Sequence, residues 1–184
     1  MAVLAGWQVC PRCGSPLAND GSKVECASCG LVHYANPAPA VSAVVVDDAG
    51  NVLLARRAHD PDAGLWDTLG GFLDVGEEPE AGLRRELREE AGVEIELGEL
   101  VTMYVDRYGD DTDAPPLLVL LWEATIASGE PEPADDVAEL RWFPRSALPR
   151  PEEIAFHALP SVLAAWAAEQ PLDAPKGRLN RPFG

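Results

Sequence analysis

Three glutamates stand close together in the segment RRELREEAG, which covers residues 84–92. On a helix, Glu86, Glu89 and Glu90 lie at i, i+3 and i+4, so their side chains share one face. Like charges at this spacing destabilise an isolated helix by about 0.2–0.5 kcal/mol per pair. A divalent cation offsets this repulsion, because Mg²⁺ prefers carboxylate oxygens and commonly bridges them to substrate phosphates. The three glutamates therefore predict a Mg²⁺ (or Mn²⁺) site that accepts a polyphosphate.

The glycine-rich segment before this helix supports the same chemistry. Gly70 and Gly71 have no side chains, so their backbone can approach a metal ion or a phosphate closely. They belong to a loop of residues 59–79, in which three aspartates precede Gly71. Loops of this length in a compact domain are usually functional. We therefore expect the loop and the glutamate face to form one site.

The helix that carries the glutamates is predicted to begin at Pro79 and to end at Gly92, which suit a first turn and a C-terminal cap. Leu83, Leu87 and Ala91 recur at i, i+4 and i+8 and form its core face. Strands and helices mixed along the rest of the chain predict an α/β layered domain. Strands are predicted at residues 41–46, 52–55, 100–108, 116–126 and 138–143, and a second helix, kinked near Pro160, at residues 152–170.

All four cysteines occur in two C-x-x-C pairs, Cys10 with Cys13 and Cys26 with Cys29. Four thiolates satisfy tetrahedral zinc and leave no open position, so the Zn²⁺ would be structural. Two disulfides are the alternative, but they suit a secreted protein, which no other feature supports. A thioredoxin-like redox pair is disfavoured because no βαβ pattern surrounds the cysteines. Residues 1–34 are therefore predicted to form a zinc ribbon.

The charge balance limits the classes of partner. The 184 residues include 14 Lys and Arg against 31 Asp and Glu, a formal net charge of −17. General nucleic-acid binding needs a basic surface, so it is not expected. Neither a membrane-spanning apolar run nor a secretory signal is recognisable, which predicts a cytoplasmic protein. After a main domain at residues 36–168, the Pro- and Gly-rich residues 169–184 are expected to be a mobile tail.

A longer pattern begins at Gly71. It is followed by five residues, Glu77, seven residues, and then the sequence RELREEAGV at residues 85–93. This matches every fixed position of the Nudix box, G-x5-E-x7-RE-U-x-EE-x-G-U, in which U is aliphatic, so the chain resembles the Nudix hydrolases. The resemblance implies a Nudix α/β/α sandwich with a mixed sheet, and hydrolysis of the pyrophosphate bond in a nucleoside diphosphate linked to another moiety. A dinucleotide or an ADP-sugar is the first expected substrate, and the clean-up of nucleoside triphosphates is the second. A homodimer is implied by the resemblance alone.

The resemblance also implies roles for individual residues of the box. By motif position, Glu86, Glu89 and Glu90 are metal ligands, and one of them acts as, or orients, the general base. The carbonyl of Gly70 resembles a further ligand, and Arg85 is counted with the catalytic residues. The remaining box positions are structural: Gly71, Gly92 and Glu77, which is expected to pair with Arg85 and hold the helix against the loop.

Nudix hydrolases often use one more acid from a distant loop. The segment PADDVAELRWF offers Asp135, Asp136 and Glu139. Asp136 is favoured because it lies six residues before Trp142, where members with a zinc ribbon carry this acid. The other two acids remain alternatives.

A zinc ribbon followed by this box is typical of the NADH pyrophosphatases, which also carry an SQPWPFP-like stretch downstream. Between Val93 and Trp142, this chain has DRYGDDTDAPP in the comparable region. The resemblance therefore implies the hydrolytic apparatus without a preference for NADH. A non-catalytic domain that senses a nucleotide and regulates a partner is the alternative, and the intact box argues against it.

Residues that bind the substrate are not identified by the motif. Arg56 and Arg57 end a predicted strand beside the glycine loop and are expected either to contact phosphate or to form solvent-facing ion pairs. Four aromatic residues are suited both to stacking on a base and to ordinary packing: Trp66, Phe72, Tyr104 and Tyr108.

Overall fold

The computed structural model describes residue 4, residues 6–109 and residues 116–168, so the predicted tail 169–184 lies outside the described part. Near the N-terminus, three short strands form an antiparallel sheet: β1 (Ala18–Asn19), β2 (Lys23–Glu25) and β3 (Val32–Tyr34). The next strand begins at Ala38. Residues 35–37, which include Pro37, connect β3 to this strand. The division into a ribbon of residues 1–34 and a main domain of residues 36–168 stays a prediction.

The main domain is built on a mixed sheet. The strand order is β10-β5-β4-β9-β8, with β6 paired to β5 and β7 paired to β4. The pairing of β4 with β9 is parallel, and the other pairings are antiparallel. The strands are β4 (Ala38–Val46), β5 (Asn51–Arg57), β6 (Trp66–Asp67), β7 (Leu69–Phe72), β8 (Glu94–Arg107), β9 (Pro116–Ser128) and β10 (Val137–Pro144).

Two helices, α1 (Pro79–Ala91) and α2 (Leu159–Ala167), cover opposite faces of this sheet. Side chains alternate between the faces of a strand, so Val45 packs in the cluster that contains α1 and Val44 in the cluster that contains α2. The expected α/β/α sandwich with a mixed sheet is confirmed. Within the described residues, no helix is long and apolar enough to cross a membrane.

Helix α1 has the predicted ends. Pro79 occupies its first turn, where a missing N–H does no harm. Gly92 follows its last residue with φ of 67°, a left-handed conformation that glycine adopts without strain. The N–H groups of Gly92 and Val93 donate to the carbonyls of Arg88 and Leu87, which closes the helix.

The prediction of a second helix over residues 152–170 is wrong in its first half. A short 3₁₀ turn spans Pro151–Glu153, and α2 begins at Leu159. Phe156 has φ of 64°, which no α-helix tolerates. The N–H groups of the intervening residues donate to carboxylates elsewhere in the domain. Tertiary hydrogen bonds therefore replace the helical ones that the apolar spacing suggested.

Candidate functional site

The four cysteines are brought together in the ribbon. The Sγ atoms of Cys10 and Cys29 are 3.6 Å apart, as are those of Cys13 and Cys26. A disulfide would require about 2.05 Å, whereas a tetrahedral ion with Zn–S bonds of about 2.3 Å separates its sulfurs by about 3.8 Å. Hydrogen bonds with Ser15 lower the pKa of Cys13 to about 6. A hydrogen bond with Leu31 lowers the pKa of Cys29, but burial and the other thiols outweigh it and raise this pKa. The quartet is consistent with a zinc site and not with the disulfide alternative.

The two C-x-x-C segments have the same backbone turn. The N–H of Gly14 donates to the carbonyl of Cys10 at 2.8 Å, and the N–H of Gly30 donates to that of Cys26 at 2.9 Å. Both glycines are left-handed, with φ of 73° and 71°. The repeated turn presents each pair of thiols in the same way, so the local sequence suffices to build both halves of the site.

Glu90 is the most enclosed glutamate of the predicted metal face, with 8% of its surface exposed. Its Oε2 accepts a hydrogen bond from the N–H of Gly70 at 2.8 Å. Burial raises the pKa of Glu90 well above its usual range despite this bond, and the charges of Asp136 and Asp67 raise it further. A buried carboxylate with acidic neighbours is the environment that a divalent cation stabilises.

Asp67, at the end of β6, is a site residue that the motif did not indicate. Its side chain is 14% exposed, and its Oδ2 accepts a hydrogen bond from Nη1 of Arg57 at 3.0 Å. Burial raises the pKa of Asp67 to about 6, although the charge of Arg57 opposes the shift. Its position in the sequence could have indicated this role, because Asp67 lies three residues before Gly70 in the loop expected to be functional. Arg57 thus pairs with a carboxylate in the site.

Of the three acids proposed for the distant position, Asp136 lines a small cavity that Glu90 also lines. Glu139 pairs with Arg56 at 3.5 Å on the neighbouring strand. Asp135 is exposed and left-handed, with φ of 52°. The placement favours Asp136 because its charge faces the glutamates of α1.

Arg85 holds the glutamate face in order. Its guanidinium donates two hydrogen bonds of 2.9 Å to the carboxylate of Glu77, so the predicted pair forms. It also donates to Glu86 at 2.8 Å and to Glu89 at 2.9 Å. A further bond of 3.1 Å reaches the carbonyl of Phe72 on β7. The guanidinium of Arg85 therefore connects the helix to the loop, and its positive charge offsets part of the repulsion between the glutamates.

A side chain at Gly70 or at Gly71 would meet a close neighbour. A Cβ on Gly70, which has φ of 143°, would lie 2.2 Å from the carbonyl oxygen of Val41. A Cβ on Gly71 would lie 2.6 Å from the carboxylate of Glu86. The first contact is with the backbone of β4, and the second is with a side chain of the proposed metal set. The role of the Gly70 carbonyl as a ligand stays a prediction.

The acidic ligands are less convergent than the cysteines. Three or more His, Cys, Asp or Glu side chains could together hold a metal ion. Among the described residues, the cysteine quartet is the one such group whose ligand atoms all lie within 4.8 Å of one another. Glu89 is turned towards Arg85 and its side chain is 49% exposed, while the side chain of Glu86 is 14% exposed. The carboxylates therefore surround a space that they do not close.

A pocket opens beside the backbone of Gly70 and is lined by aromatic rings. The ring centroids of Phe72 and Tyr108 are 5.4 Å apart, and those of Tyr108 and Phe156 are 6.1 Å apart. Phe156 was missed because its segment was assigned to a helix. Trp66, by contrast, is a core residue, buried in the cluster beneath α2.

Comparison with known proteins agrees with this geometry. The model of the NUDIX domain matches residues 36–164. The chain is 34% identical over 162 residues to the NAD-capped RNA hydrolase NudC of Stutzerimonas stutzeri, covering 84% of this chain and 55% of that protein. It is 33% identical over 141 residues to the mitochondrial NAD(P)H pyrophosphatase NUDT13 of Homo sapiens, covering 74% of this chain and 38% of that protein.

Among solved structures, a NUDIX hydrolase from Nitrosomonas europaea matches with a TM-score of 0.73 and 25% identity, covering 91% of this chain and 94% of that chain. An ADP-ribose pyrophosphatase from Streptococcus suis has a TM-score of 0.54 at 21% identity, covering 73% of this chain and 94% of that one, and shows likeness of fold. The chain spans about half the length of the curated relatives it matches.

Proposed function

The chain belongs to the Nudix family, and on this premise we propose that it hydrolyses the pyrophosphate bond of a nucleoside diphosphate linked to another moiety. The observation that carries the proposal is the set of acidic side chains beside an open pocket, with Glu90 buried among like charges. Such a set is unfavourable by itself and becomes favourable around divalent cations. Mg²⁺ is the proposed ion, with Mn²⁺ as a substitute, because both accept carboxylate oxygens.

The residues present fit this ion. When bound, Mg²⁺ supplies positive charge to the phosphates and lowers the pKa of water. We assign its binding to the acidic face of α1, to one backbone oxygen and to one distant acid. The proposed ligands are Glu86, Glu89, Glu90, the carbonyl of Gly70 and Asp136.

Side chains of the protein then handle the proton of the attacking water and orient the carboxylates. One of the three glutamates accepts or directs the proton of the attacking water, while a new P–O bond forms and the bridging P–O bond breaks. Arg85 orients Glu86 and Glu89 through its hydrogen bonds of 2.8 and 2.9 Å. The leaving phosphate departs with the electron pair of the broken bond.

The proposed substrate is a free dinucleotide first and an ADP-sugar second. Support comes from the activities of two relatives, an NAD-capped RNA hydrolase and an NAD(P)H pyrophosphatase. An RNA-linked substrate is the less favoured form, because a net charge of −17 repels a polyphosphate chain. Measuring kcat/KM for NADH and for NAD-capped RNA at two salt concentrations separates them, and a preference for the RNA would reverse this order.

We propose Zn²⁺ as the structural ion of the ribbon, on the strength of the 3.6 Å sulfur separations. Four free cysteines placed to hold a metal suit a reducing compartment, which supports the cytoplasm as the proposed location. Metal analysis of the purified protein tests the assignment. One zinc per chain is expected, and iron in its place would contradict it.

A homodimer is proposed on the resemblance and on one surface. Met103, Val105 and Leu118 are exposed, and Val105 and Leu118 are direct partners across β8 and β9. A contiguous apolar strip of this kind often marks an interface. Light scattering at micromolar concentration should report twice the chain mass, and a monomer would argue against the dimer.

The activity is tested with NADH, ADP-ribose and a nucleoside triphosphate panel, each with Mg²⁺ and with EDTA. Hydrolysis should require Mg²⁺, and Glu90→Gln should lower kcat by at least about 100-fold, as for loss of an acid–base or ligand group. Glu78→Gln is the matched control, because Glu78 is exposed at the cap of α1. Absence of Mg²⁺-dependent product from every substrate would favour the nucleotide-sensing alternative.

A further inference from the structure

The segment between the 3₁₀ turn and α2 is held in an unusual conformation beside the pocket. Phe156 has φ of 64°, a value that a bulky residue rarely adopts. Its N–H donates to Oδ2 of Asp62 at 2.9 Å, and Asp62 is itself left-handed with φ of 63°. Two left-handed residues from distant parts of the chain are thus joined by one hydrogen bond.

A second carboxylate holds the next two residues. Asp106, which is 5% exposed, accepts hydrogen bonds from the N–H groups of His157 at 3.2 Å and Ala158 at 2.9 Å. Three consecutive backbone donors are therefore satisfied by two aspartates, one in the loop after β5 and one near the end of β8. This arrangement holds the backbone that carries the Phe156 ring.

The ring is directed into the pocket wall. The guanidinium carbon of Arg57 lies 5.0 Å from the ring centroid of Phe156 and 6.0 Å from that of Tyr108, distances at which a cation attracts an aromatic face. Phe72, 43% exposed, completes the wall on the side of β7. The left-handed conformation of Phe156 thus accompanies a ring that lines the pocket.

We propose that Phe156 determines specificity by forming one wall of a slot for a planar aromatic ring of the substrate. Asp62 and Asp106 are positioning residues that hold this wall in place. The ligand class is a heteroaromatic ring joined to a ribose phosphate. This inference deepens the proposed hydrolysis and rests on it for the identity of the attached phosphates.

The position of the slot fits that class. Three residues line both the aromatic pocket and the small cavity that Glu90 and Asp136 also line: Arg57, Asp67 and Thr68. A ring in the slot therefore leaves its ribose phosphate near the acidic side chains.

The test measures binding in place of turnover. Calorimetry with the full chain in Mg²⁺ gives the dissociation constants of AMP, of nicotinamide mononucleotide and of ribose 5-phosphate. We define the ring gain as the dissociation constant of ribose 5-phosphate divided by that of the nucleotide. If the ring of the nucleotide stacks in the slot, the ring gain should be about 10-fold or more. Phe156→Leu should reduce the ring gain to below about 3-fold and leave ribose 5-phosphate binding unchanged.

Two variants of Asp62 test the positioning role. Asn tolerates the left-handed conformation and keeps an oxygen acceptor, whereas Gly tolerates the conformation without an acceptor. Asp62→Asn should therefore keep the ring gain, and Asp62→Gly should lose it. Tyr34→Leu, which removes an exposed ring of the ribbon, is the control and should change nothing. Should Phe156→Leu not fold, the Asp62 pair decides alone.

The outcomes separate this inference from the proposed function. An unchanged ring gain in Phe156→Leu, equal weakening of all three ligands, or no ring gain in the wild type overturns the slot. Equal ring gain in the two Asp62 variants overturns the role of Asp62. A ring gain lost as predicted supports the slot even if no dinucleotide is hydrolysed, in which case the proposed reaction alone fails.

Discussion

The cysteine quartet of the ribbon and the acidic face of α1 are two proposed sets of metal ligands with different geometry. In the ribbon, two short turns place the Sγ atom of Cys10 at 3.6 Å from that of Cys29, and the Sγ atom of Cys13 at 3.6 Å from that of Cys26. In the main domain, the acids come from α1 and from the segment before β10, and they do not converge to 4.8 Å within the described residues. The sulfurs therefore converge on one point, whereas the carboxylates leave an open space between them.

The difference lies in what supports the ligands when no ion is bound. The ribbon has three strands of two or three residues each, too little structure to be stable alone. The acidic face has the sandwich core beneath it, and Arg85 and the N–H of Gly70 hold its carboxylates. We therefore expect zinc to determine folding in the ribbon and Mg²⁺ to determine chemistry in the main domain.

Metal exchange should give the largest effect. After both ions are stripped by a chelator, the ribbon should unfold, because zinc binding to such sites is worth about 10–16 kcal/mol. The amide and Trp7 indole NMR signals of the ribbon should collapse while those of the main domain persist. Added zinc should restore the ribbon without hydrolysis, and added Mg²⁺ should restore hydrolysis without the ribbon. Unfolding of the main domain on loss of Mg²⁺ would break the comparison.

Alanine substitutions of the adjacent Gly70 and Gly71 should separate an effect on stability from an effect on activity. Gly70→Ala places a Cβ 2.2 Å from the backbone of β4, so the free energy of unfolding should fall by at least about 2 kcal/mol. Gly71→Ala meets the movable carboxylate of Glu86, so stability should change by less than about 1 kcal/mol while kcat falls about 10- to 100-fold. Urea unfolding and kinetics on the same samples check both, and the reverse pattern would contradict the assignment.

Removing one buried charge should stabilise the main domain. In chelator, Glu90→Gln keeps an oxygen for the N–H of Gly70 and removes a charge that faces Asp67 and Asp136. We expect a gain of about 1 kcal/mol, which raises the thermal midpoint by about 2–4 °C. Calorimetric melting measures this, with Glu78→Gln as the exposed control. A lower midpoint for Glu90→Gln would show that its charge is already compensated.

The left-handed glycines should give the smallest effect. Gly30 in the ribbon and Gly92 after α1 have φ of 71° and 67°, and a Cβ at either would meet open space. Alanine at each should therefore cost only backbone strain, about 1 kcal/mol. For Gly92→Ala, this should lower the thermal midpoint without changing kcat. For Gly30→Ala, it should weaken zinc binding about 5-fold in a chelator competition, and equal zinc affinity would show that the ribbon turn is not strained.

Local patterns predicted the parts of both sites that depend on short stretches of chain. The cysteine turns, from Cys to Gly, need five residues each, and the spacing of Glu86, Glu89 and Glu90 requires one helix. The ends of α1 at Pro79 and Gly92 follow from residue types that act on their own backbone. These features needed no knowledge of what lies opposite.

The errors arose where a distant group competes with a local preference. The apolar spacing of residues 152–170 is helical, but Asp62 and Asp106 take the donors of the segment before α2. These acceptors are 94 and 51 residues away from Phe156 and His157. The expectation that Arg57 faces phosphate or a surface acid likewise did not include Asp67, which pairs with it in the site.

By itself, the sequence determined which chemistry is present: a thiol quartet, a helix with three glutamates on one face, and glycines that let the backbone approach. Tertiary structure decided which acid faces the glutamates, that Asp67 joins them, and that Phe156 closes the aromatic wall. The physical reason is that spacing along the chain specifies local geometry, whereas the partners of a buried charge or a backbone donor are set by packing between segments far apart in sequence.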